Sequence, residues 1–280
     1  LPESAPVSPP AGEGPAVPPP DDRAAGGHQD EGDWGRVTYH AYDRDRGQYD
    51  LFVMRGLQAG QGSNRLTNDA AVDFQPALSP DGTRLAFVSA PARSDGTFED
   101  LEIYVASFNY VTGSMGPPTR LTDNDTNDYW PVWSPDGKRL AFYRILGQQS
   151  DVFVMNADGS GQTNITNHPA GDAFPAWSPD GQQIAFSSIR TGEFRIHVMS
   201  AGGSNVRQLS NQRLSLRPVW SPDGTKIAYS ADSTGDSWWD LMVMDADGKN
   251  QVTMKPTVPL TDIEVRSWAP NGKTITFTRT

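Results

Sequence analysis

One turn, written five times, constrains this chain more than any other feature. Ser79-Pro80-Asp81-Gly82 precedes Leu85-Ala86-Phe87, Ser134-Pro135-Asp136-Gly137 precedes Leu140-Ala141-Phe142, and Ser178-Pro179-Asp180-Gly181 precedes Ile184-Ala185-Phe186. Ser221-Pro222-Asp223-Gly224 precedes Ile227-Ala228-Tyr229, and a weaker copy, Ala269-Pro270-Asn271-Gly272, precedes Ile275-Thr276-Phe277. The turn starts are separated by 55, 44, 43 and 48 residues. A period in the forties built from short strands is the signature of a β-propeller, one blade per repeat.

Each part of the turn has a physical reason. Proline at the second position is already near the φ that a β-turn needs, and aspartate suits the third. Glycine accepts the left-handed conformation that closes a hairpin loop and opens a bulge. The flanking residues alternate as strands do. Before the turn stand Pro131-Val132-Trp133, Pro175-Ala176-Trp177 and Pro218-Val219-Trp220; after it comes a large-small-large triplet. The small central residue leaves room on one face while the flanking pair fills the other. A proline inside the first strand implies that one side of that strand is unpaired, as beside a central channel.

Two further strand types recur. One reads Leu51-Phe52-Val53-Met54, Ile103-Tyr104-Val105, Val152-Phe153-Val154-Met155, Ile196-His197-Val198-Met199 and Leu241-Met242-Val243-Met244. The other ends in Arg65-Leu66-Thr67, Arg120-Leu121-Thr122, Asn164-Ile165-Thr166, Gln208-Leu209-Ser210 and Pro259-Leu260-Thr261. Asp158-Gly159 and Asp247-Gly248 supply tight turns between these two types. No long segment has helical periodicity, so the expected class is all-β.

Residues 1–35 are different material. Eight prolines crowd the first twenty positions and large apolar residues are nearly absent, so the expectation is a Pro/Gly-rich, acidic, disordered tether ahead of a propeller over 36–280. The lack of an initiator Met suggests a processed chain or one produced without its natural start, and an export signal or anchor before the tether is the expectation that matches the first. The tether carries seven acids against Arg23, a balance of −6, which leaves −5 of the total −11 for the remainder. A mildly acidic domain argues against nucleic acid and anionic membrane surfaces as partners. Cysteine is absent, which removes disulfides and thiolate metal sites and fits a bacterial envelope.

The run Pro-x-Trp-Ser-Pro-Asp-Gly, then Ile-Ala-Phe, Ile-x-Val-Met and Leu-Thr resembles the WD40-like Pro-Asp repeat of the TolB-type propellers, over about 36–280. The resemblance implies a six-bladed propeller of four-stranded antiparallel blades, in the periplasm or at the cell surface, acting as a protein-binding platform. Five strands before the turn, six after it and five of each other type make 21. Six full blades need 24 and five need 20, so the expectation is a six-bladed type with an incomplete last blade, strict five-bladed closure being the alternative. An open last blade offers an edge for a partner strand. Residues 1–35 do not read as the N-terminal α/β domain known in that family.

No Gly-x-Ser-x-Gly stands in the chain, although related propellers accompany serine peptidases. His28 lies in the tether, and His197 takes a slot filled by Phe52, Tyr104, Phe153 and Met242 in sister repeats, which reads as packing. His40 also reads as structural. His168 reads as a solvated loop residue, with a surface ligand as the rival, and the chain is too poor in histidine for the metal centre of pectate-degrading relatives. Asp73, Asp128 and Asp172 each stand six residues before a turn, at one end of the inner strands. Two readings of them stand: a carboxylate ring for a cation or basic group, and repeat-specific hydrogen bonds to neighbouring backbone. Asp123-x-Asp125-x-x-Asp128 lacks the glycine and distal glutamate of a calcium loop, so neither metal nor cofactor is expected.

Trp133, Trp177, Trp220 and Trp268 share one repeat position and read as inter-blade core. Trp238 and Trp239, in the loop between 233 and 240, break the pattern. Trp130 beside Tyr129 stands where other repeats hold Gln75, Phe174 and Arg217. These two pairs are candidate interface residues, with local packing as the rival. The insertion at 107–118 and the loop at 91–100 are candidate decorations or binding loops. The function expected is therefore a non-enzymatic envelope propeller that docks a protein at the channel face. A small-ligand or carbohydrate binder, or a hydrolase or lyase using channel-mouth carboxylates, is one alternative; a structural subunit of a larger assembly is another. Truncating one of the four repeat tryptophans to alanine is expected to cost about 3–5 kcal/mol, read as a lowered urea midpoint.

Overall fold

A computed structural model describes residues 36–55, 63–93, 98–233, 235, 239–254, 263–269 and 271–279. The tether, His28, Trp238, Pro259-Leu260-Thr261 and the middle of the 91–100 loop lie outside the described residues.

The strands fall into six antiparallel sheets in chain order. The first holds β1 (Arg36–Asp43), β2 (Gln48–Arg55) and β3 (Ser63–Arg65). The second holds β4 (Val72–Leu78), β5 (Arg84–Ala90) and β6 (Glu102–Asn109), with β7 (Ser114–Met115) and β8 (Thr119–Arg120) both on β6. The third holds β9 (Asp128–Trp133), β10 (Arg139–Leu146), β11 (Gln149–Asn156) and β12 (Thr163–Asn164). The fourth holds β13 (Asp172–Trp177), β14 (Gln183–Ser188), β15 (Arg195–Ser200) and β16 (Arg207–Gln208). The fifth holds β17 (Arg213–Trp220), β18 (Lys226–Asp232), β19 (Asp240–Asp245) and β20 (Val252–Met254). In the sixth, β21 (Ile263–Trp268) pairs β22 (Ile275–Arg279). The described strands thus reproduce the four recurring types, with β7 as the one addition. The 107–118 insertion forms that addition, and its Tyr110 and Met115 pack back on the core between the first two sheets.

The turn uses its serine as well as its proline and glycine. At 178–183 the Ser178 hydroxyl donates to Asp180 Oδ1 at 2.5 Å and accepts the Gln183 N–H at 2.9 Å, while Asp180 Oδ1 also accepts the Gln182 N–H at 3.0 Å. These donations hold the Asp180 carboxyl below its ordinary range, with the Ser178 hydroxyl the largest cause. The same set recurs around Ser79, Ser134 and Ser221.

The core lies between sheets. Ala141, Val152 and Val154 of the third sheet pack with Trp177, Ile184, Phe186 and Met199 of the fourth. Leu140 and Phe142, on either side of Ala141, face the second sheet with Ala86 and Ile103. The small residue of each triplet therefore makes the slot that the next sheet's tryptophan enters. Ala185 stands with Trp220, and Ala228 with Trp268, in the same way.

Close approach of successive sheets also dictates three glycines. Gly159, Gly203 and Gly248 have φ of 87°, 88° and 91°, and a Cβ on them would lie 2.8, 2.3 and 3.0 Å from the carbonyl oxygens of Leu121, Ile165 and Leu209 in the preceding sheet. Gly203→Ala is expected to lose at least about 2 kcal/mol, combining left-handed strain with a backbone collision. Gly192→Ala, with φ of 98° in open space, should lose only the strain, about 1 kcal/mol. Urea denaturation of the pair measures the difference.

Candidate functional site

The first strands of sheets two to six contact one another in chain order, and each carries a register shift in its middle. The shift places the same repeat position of four strands in the left-handed region, Gln75 (φ 54°), Trp130 (59°), Phe174 (54°) and Arg217 (56°), and a second shift in β17 does the same to Leu214 (47°). None is glycine, and each such residue costs of order 1–3 kcal/mol. A bulge takes an N–H out of the ladder, and the neighbouring sheet supplies acceptors. Trp130 N–H donates to Gln75 Oε1 at 2.8 Å, Arg217 N–H to Ser187 Oγ at 3.1 Å, and Gln75 N–H to His40 Nδ1 at 3.4 Å. The same strain is repeated at one place in four sheets, beside re-aimed side chains.

These side chains meet. The half-buried Trp130 ring stands edge-on to Phe174, 5.1 Å between centroids at 85°. The Arg217 guanidinium lies 5.3 Å from both ring centroids, and Arg266 lies 5.9 Å from Trp130. Glu264 pairs with Arg217 and, at 2.5 Å, with Arg266, so one carboxylate serves two guanidinium groups and the cluster keeps a net positive charge. His40, buried nearby, accepts at Nδ1 and so carries its proton on Nε2. Burial first, then the Arg266 and Arg217 charges, lower its pKa to about 3. Tyr129 turns the other way: it is buried, stacks on Tyr143 at 5.3 Å, and burial pushes its phenol up to about 12.

The three aspartates are all buried at the start of their strands. Asp128 takes Arg144 Nε at 2.6 Å and Nη2 at 2.7 Å, with Asn124 Nδ2 at 3.1 Å. Asp172 takes Arg190 Nη2 on both oxygens, at 3.0 and 2.8 Å. Asp73 has no arginine; its Oδ2 lacks a hydrogen-bond partner among the described residues, and burial, with Asp69 and Asp50 adding to it, pushes its pKa up to about 6. In the later repeats the place is held by buried Ser215 and Ile263.

Beside this row stands another that sequence reading passed over. Asp50, Glu102 and Asp151 are buried at the same end. There the hydroxyls of Thr67, Thr122, Thr166 and Ser210 accept the N–H groups of Leu51, Ile103, Val152 and Ile196 at 2.8–3.0 Å. Thr166 also donates to Asp151 at 3.3 Å, and Asn124 Nδ2 bridges Glu102 and Asp128. The available signal was the acid directly before Leu51, Ile103, Val152 and Leu241; in the fourth repeat Arg195 stands there instead. Asp123 is exposed and pairs with Arg120 at 3.0 Å. No group of three or more His, Cys, Asp or Glu among the described residues is arranged to hold a metal. Trp239 is half-buried, and its carbonyl accepts the Ile263 N–H at 2.9 Å, tying the fifth sheet to the sixth; Trp238 beside it lies outside the described residues. His197 is buried against Phe186, 5.8 Å between centroids.

A family model for the TolB beta propeller domain matches residues 102–280. Among curated proteins, the Tol-Pal system protein TolB of Anaeromyxobacter dehalogenans is 33% identical over 121 residues, which are 43% of this chain and 25% of that protein. The chain spans about a quarter of the length of the curated relatives it matches. Among solved structures, TolB from Acinetobacter baumannii aligns with TM-score 0.68 and 24% identity, covering 87% of this chain and 58% of that one. A candidate TolB from Agrobacterium tumefaciens aligns with TM-score 0.67 and 25% identity, covering 88% and 91%.

The Asp73 carboxyl has a folded pKa of about 6 against an ordinary 3.8, so between those values the folded state binds more protons than the unfolded. Stability should fall as pH rises through that window and level off above it. Asp73→Asn should abolish this slope and be the more stable form above pH 7, by on the order of 2 kcal/mol, with little difference at pH 4. Urea midpoints across pH measure it.

Proposed function

Because the chain belongs to the TolB β-propeller domain family, we propose that it is a non-enzymatic protein-binding propeller of the bacterial cell envelope, working in the periplasm. We read the six sheets as blades of a six-bladed type with an incomplete last blade. The docking surface is the cluster of Trp130, Phe174 and Arg217, with the buried side chain of Arg266 behind it. One observation carries this reading: four inner strands spend left-handed backbone at one repeat position to bring a tryptophan, a phenylalanine and an arginine together. Tryptophan and arginine are the side chains that most often dominate binding energy. Held by a strained scaffold, they lose little freedom on docking.

The surplus positive charge in an acidic protein favours a partner segment that presents a carboxylate beside an apolar side chain. The name of the Anaeromyxobacter relative, a Tol-Pal system protein, supports a partner that is itself a protein. Asp128 and Asp172, each on an arginine, brace the strands that carry the cluster, and Asp73 does so without one. Trp239 belongs to a separate contact on the outer loops.

A photo-cross-linking residue at position 130 should give one discrete adduct in native envelope extract, identified by mass spectrometry. The same residue at exposed Val252 should not give it, and Arg217→Ala should weaken it without lowering the thermal midpoint by more than a few degrees. Identical adducts from both positions, or none from 130, would refute docking at this surface.

A further inference from the structure

At the turn end of the sheets, opposite Asp73, Asp128 and Asp172, successive sheets are joined by an arginine laid on a tryptophan. Arg84, the first residue of β5, places its guanidinium 4.3 Å from the Trp133 ring centroid, and its Nη2 donates to the Gly137 carbonyl at 2.7 Å. Arg139, the first residue of β10, lies 4.6 Å from the Trp177 ring. The corresponding first residue of β14 is Gln183, shorter and uncharged, and the tryptophan it faces is Trp220.

At that junction a groove of about 550 Å³ opens, lined by Trp220, Gln183, Asp180, Asp223, Asp247 and Arg207. Gly224 also borders it, in the place that Gly137 holds beside Arg84. The buried indole N–H groups of Trp177 and Trp220 both lack an acceptor among the described residues; Arg139 lies over the first ring, and the second residue borders the groove. Asp223 is held at about 2 by the hydroxyl of Ser221 and the N–H and hydroxyl of Thr225, and donations likewise hold Asp180 and Asp247 below the ordinary carboxylate range. Lys249 sits on Asp247 at 2.7 Å, and the Arg207 guanidinium rests on the carbonyls of Asp247 and Ala246 at 3.3 and 3.4 Å. With both cations counted against three carboxylates, the groove keeps one negative charge.

We propose that the groove between the fourth and fifth sheets is a receptor for the guanidinium of an arginine side chain on a partner protein. That arginine stacks on Trp220 as Arg84 and Arg139 stack on Trp133 and Trp177. A planar guanidinium satisfies an aromatic face and in-plane acceptors together, which an ammonium does not. The carbonyl of Gly224 and the carboxylates of Asp180 and Asp223 supply the acceptors. The site is at the other end of the sheets from the Trp130 cluster and does not depend on it.

The test titrates the full chain with acetyl-Gly-Arg-Gly-amide and with the same peptide carrying citrulline, which keeps the shape and removes the charge. The Trp220 indole N–H resonance, assigned with Trp220→Phe, and calorimetry report binding. The arginine peptide should shift that resonance saturably and bind roughly tenfold or more tightly than the citrulline peptide, with affinity falling as salt rises. Gln183→Arg should fill the groove from within, weaken the arginine peptide at least about tenfold, and keep or raise the urea midpoint. Equal binding of the two peptides, no shift at Trp220, or undiminished binding to Gln183→Arg would each overturn the proposal. Should Gln183→Arg fail to fold, the citrulline comparison on the unaltered protein decides alone.

Discussion

No sheet of this protein can cover its own faces, and everything else follows from how the next sheet covers them. The large-small-large triplet makes one face of each second strand full and the other hollow, and the following tryptophan enters the hollow. Ala86 receives Trp133, Ala141 receives Trp177, Ala185 receives Trp220 and Ala228 receives Trp268. Burial of this kind is non-directional, but the slot is not, so order in the chain becomes order in space. Polar edges of the same contacts, such as Trp133 Nε1 to the Ala77 carbonyl at 3.0 Å and Trp268 Nε1 to the Val219 carbonyl at 3.1 Å, fix the depth of insertion.

Packing sheets this closely buries many polar groups, and the chain meets the demand with short repeated devices. A serine and an aspartate close each strong turn, the hydroxyl of Thr67, Thr122, Thr166 or Ser210 accepts an N–H of the Leu/Ile/Val-rich strand beside it, and the displaced N–H of Trp130, Arg217 or Gln75 finds a side chain one sheet back. A buried N–H left without a partner would cost more than any of these bonds contributes alone. Asp73 shows the limit of the scheme. Where Arg144 and Arg190 attend Asp128 and Asp172, no cation among the described residues pairs with Asp73, and burial raises its pKa to about 6.

The repeat made the strands and their order legible, because turn, alternation and triplet are all local. It also showed that Gln75, Trp130, Phe174 and Arg217 share a place. Their left-handed backbone was not visible, since strict alternation presumes an unbroken pleat and the bulge breaks it between Phe74 and Ala77, and at the matching points elsewhere. Nor were the arginine partners of Asp128 and Asp172, which lie on the adjoining strand or just beyond it and are matched only by register: Arg144 is opposite Asp128, while Arg190 follows Ser188, which is opposite Asp172. The hollow at Trp220 was written as Gln183 where the two preceding repeats hold Arg84 and Arg139 and the next holds Lys226, a departure that acquires meaning only when the stacking of Arg84 and Arg139 is known.

The left-handed position has a consequence for how such a surface changes over generations. Its side chain is turned out of the alternation that builds the inter-sheet cores, and glutamine, tryptophan, phenylalanine and arginine occupy it on nearly the same backbone. Substitution there leaves the triplet-and-tryptophan cores untouched and alters what the surface offers, at the cost of the packing of Trp130 and Phe174 on Tyr129, Tyr143 and Ala173 and of the Gln75 acceptor for the Trp130 N–H. On the proposed docking surface, selection can therefore change one letter per sheet while the turns, triplets and tryptophans that form the page are inherited intact.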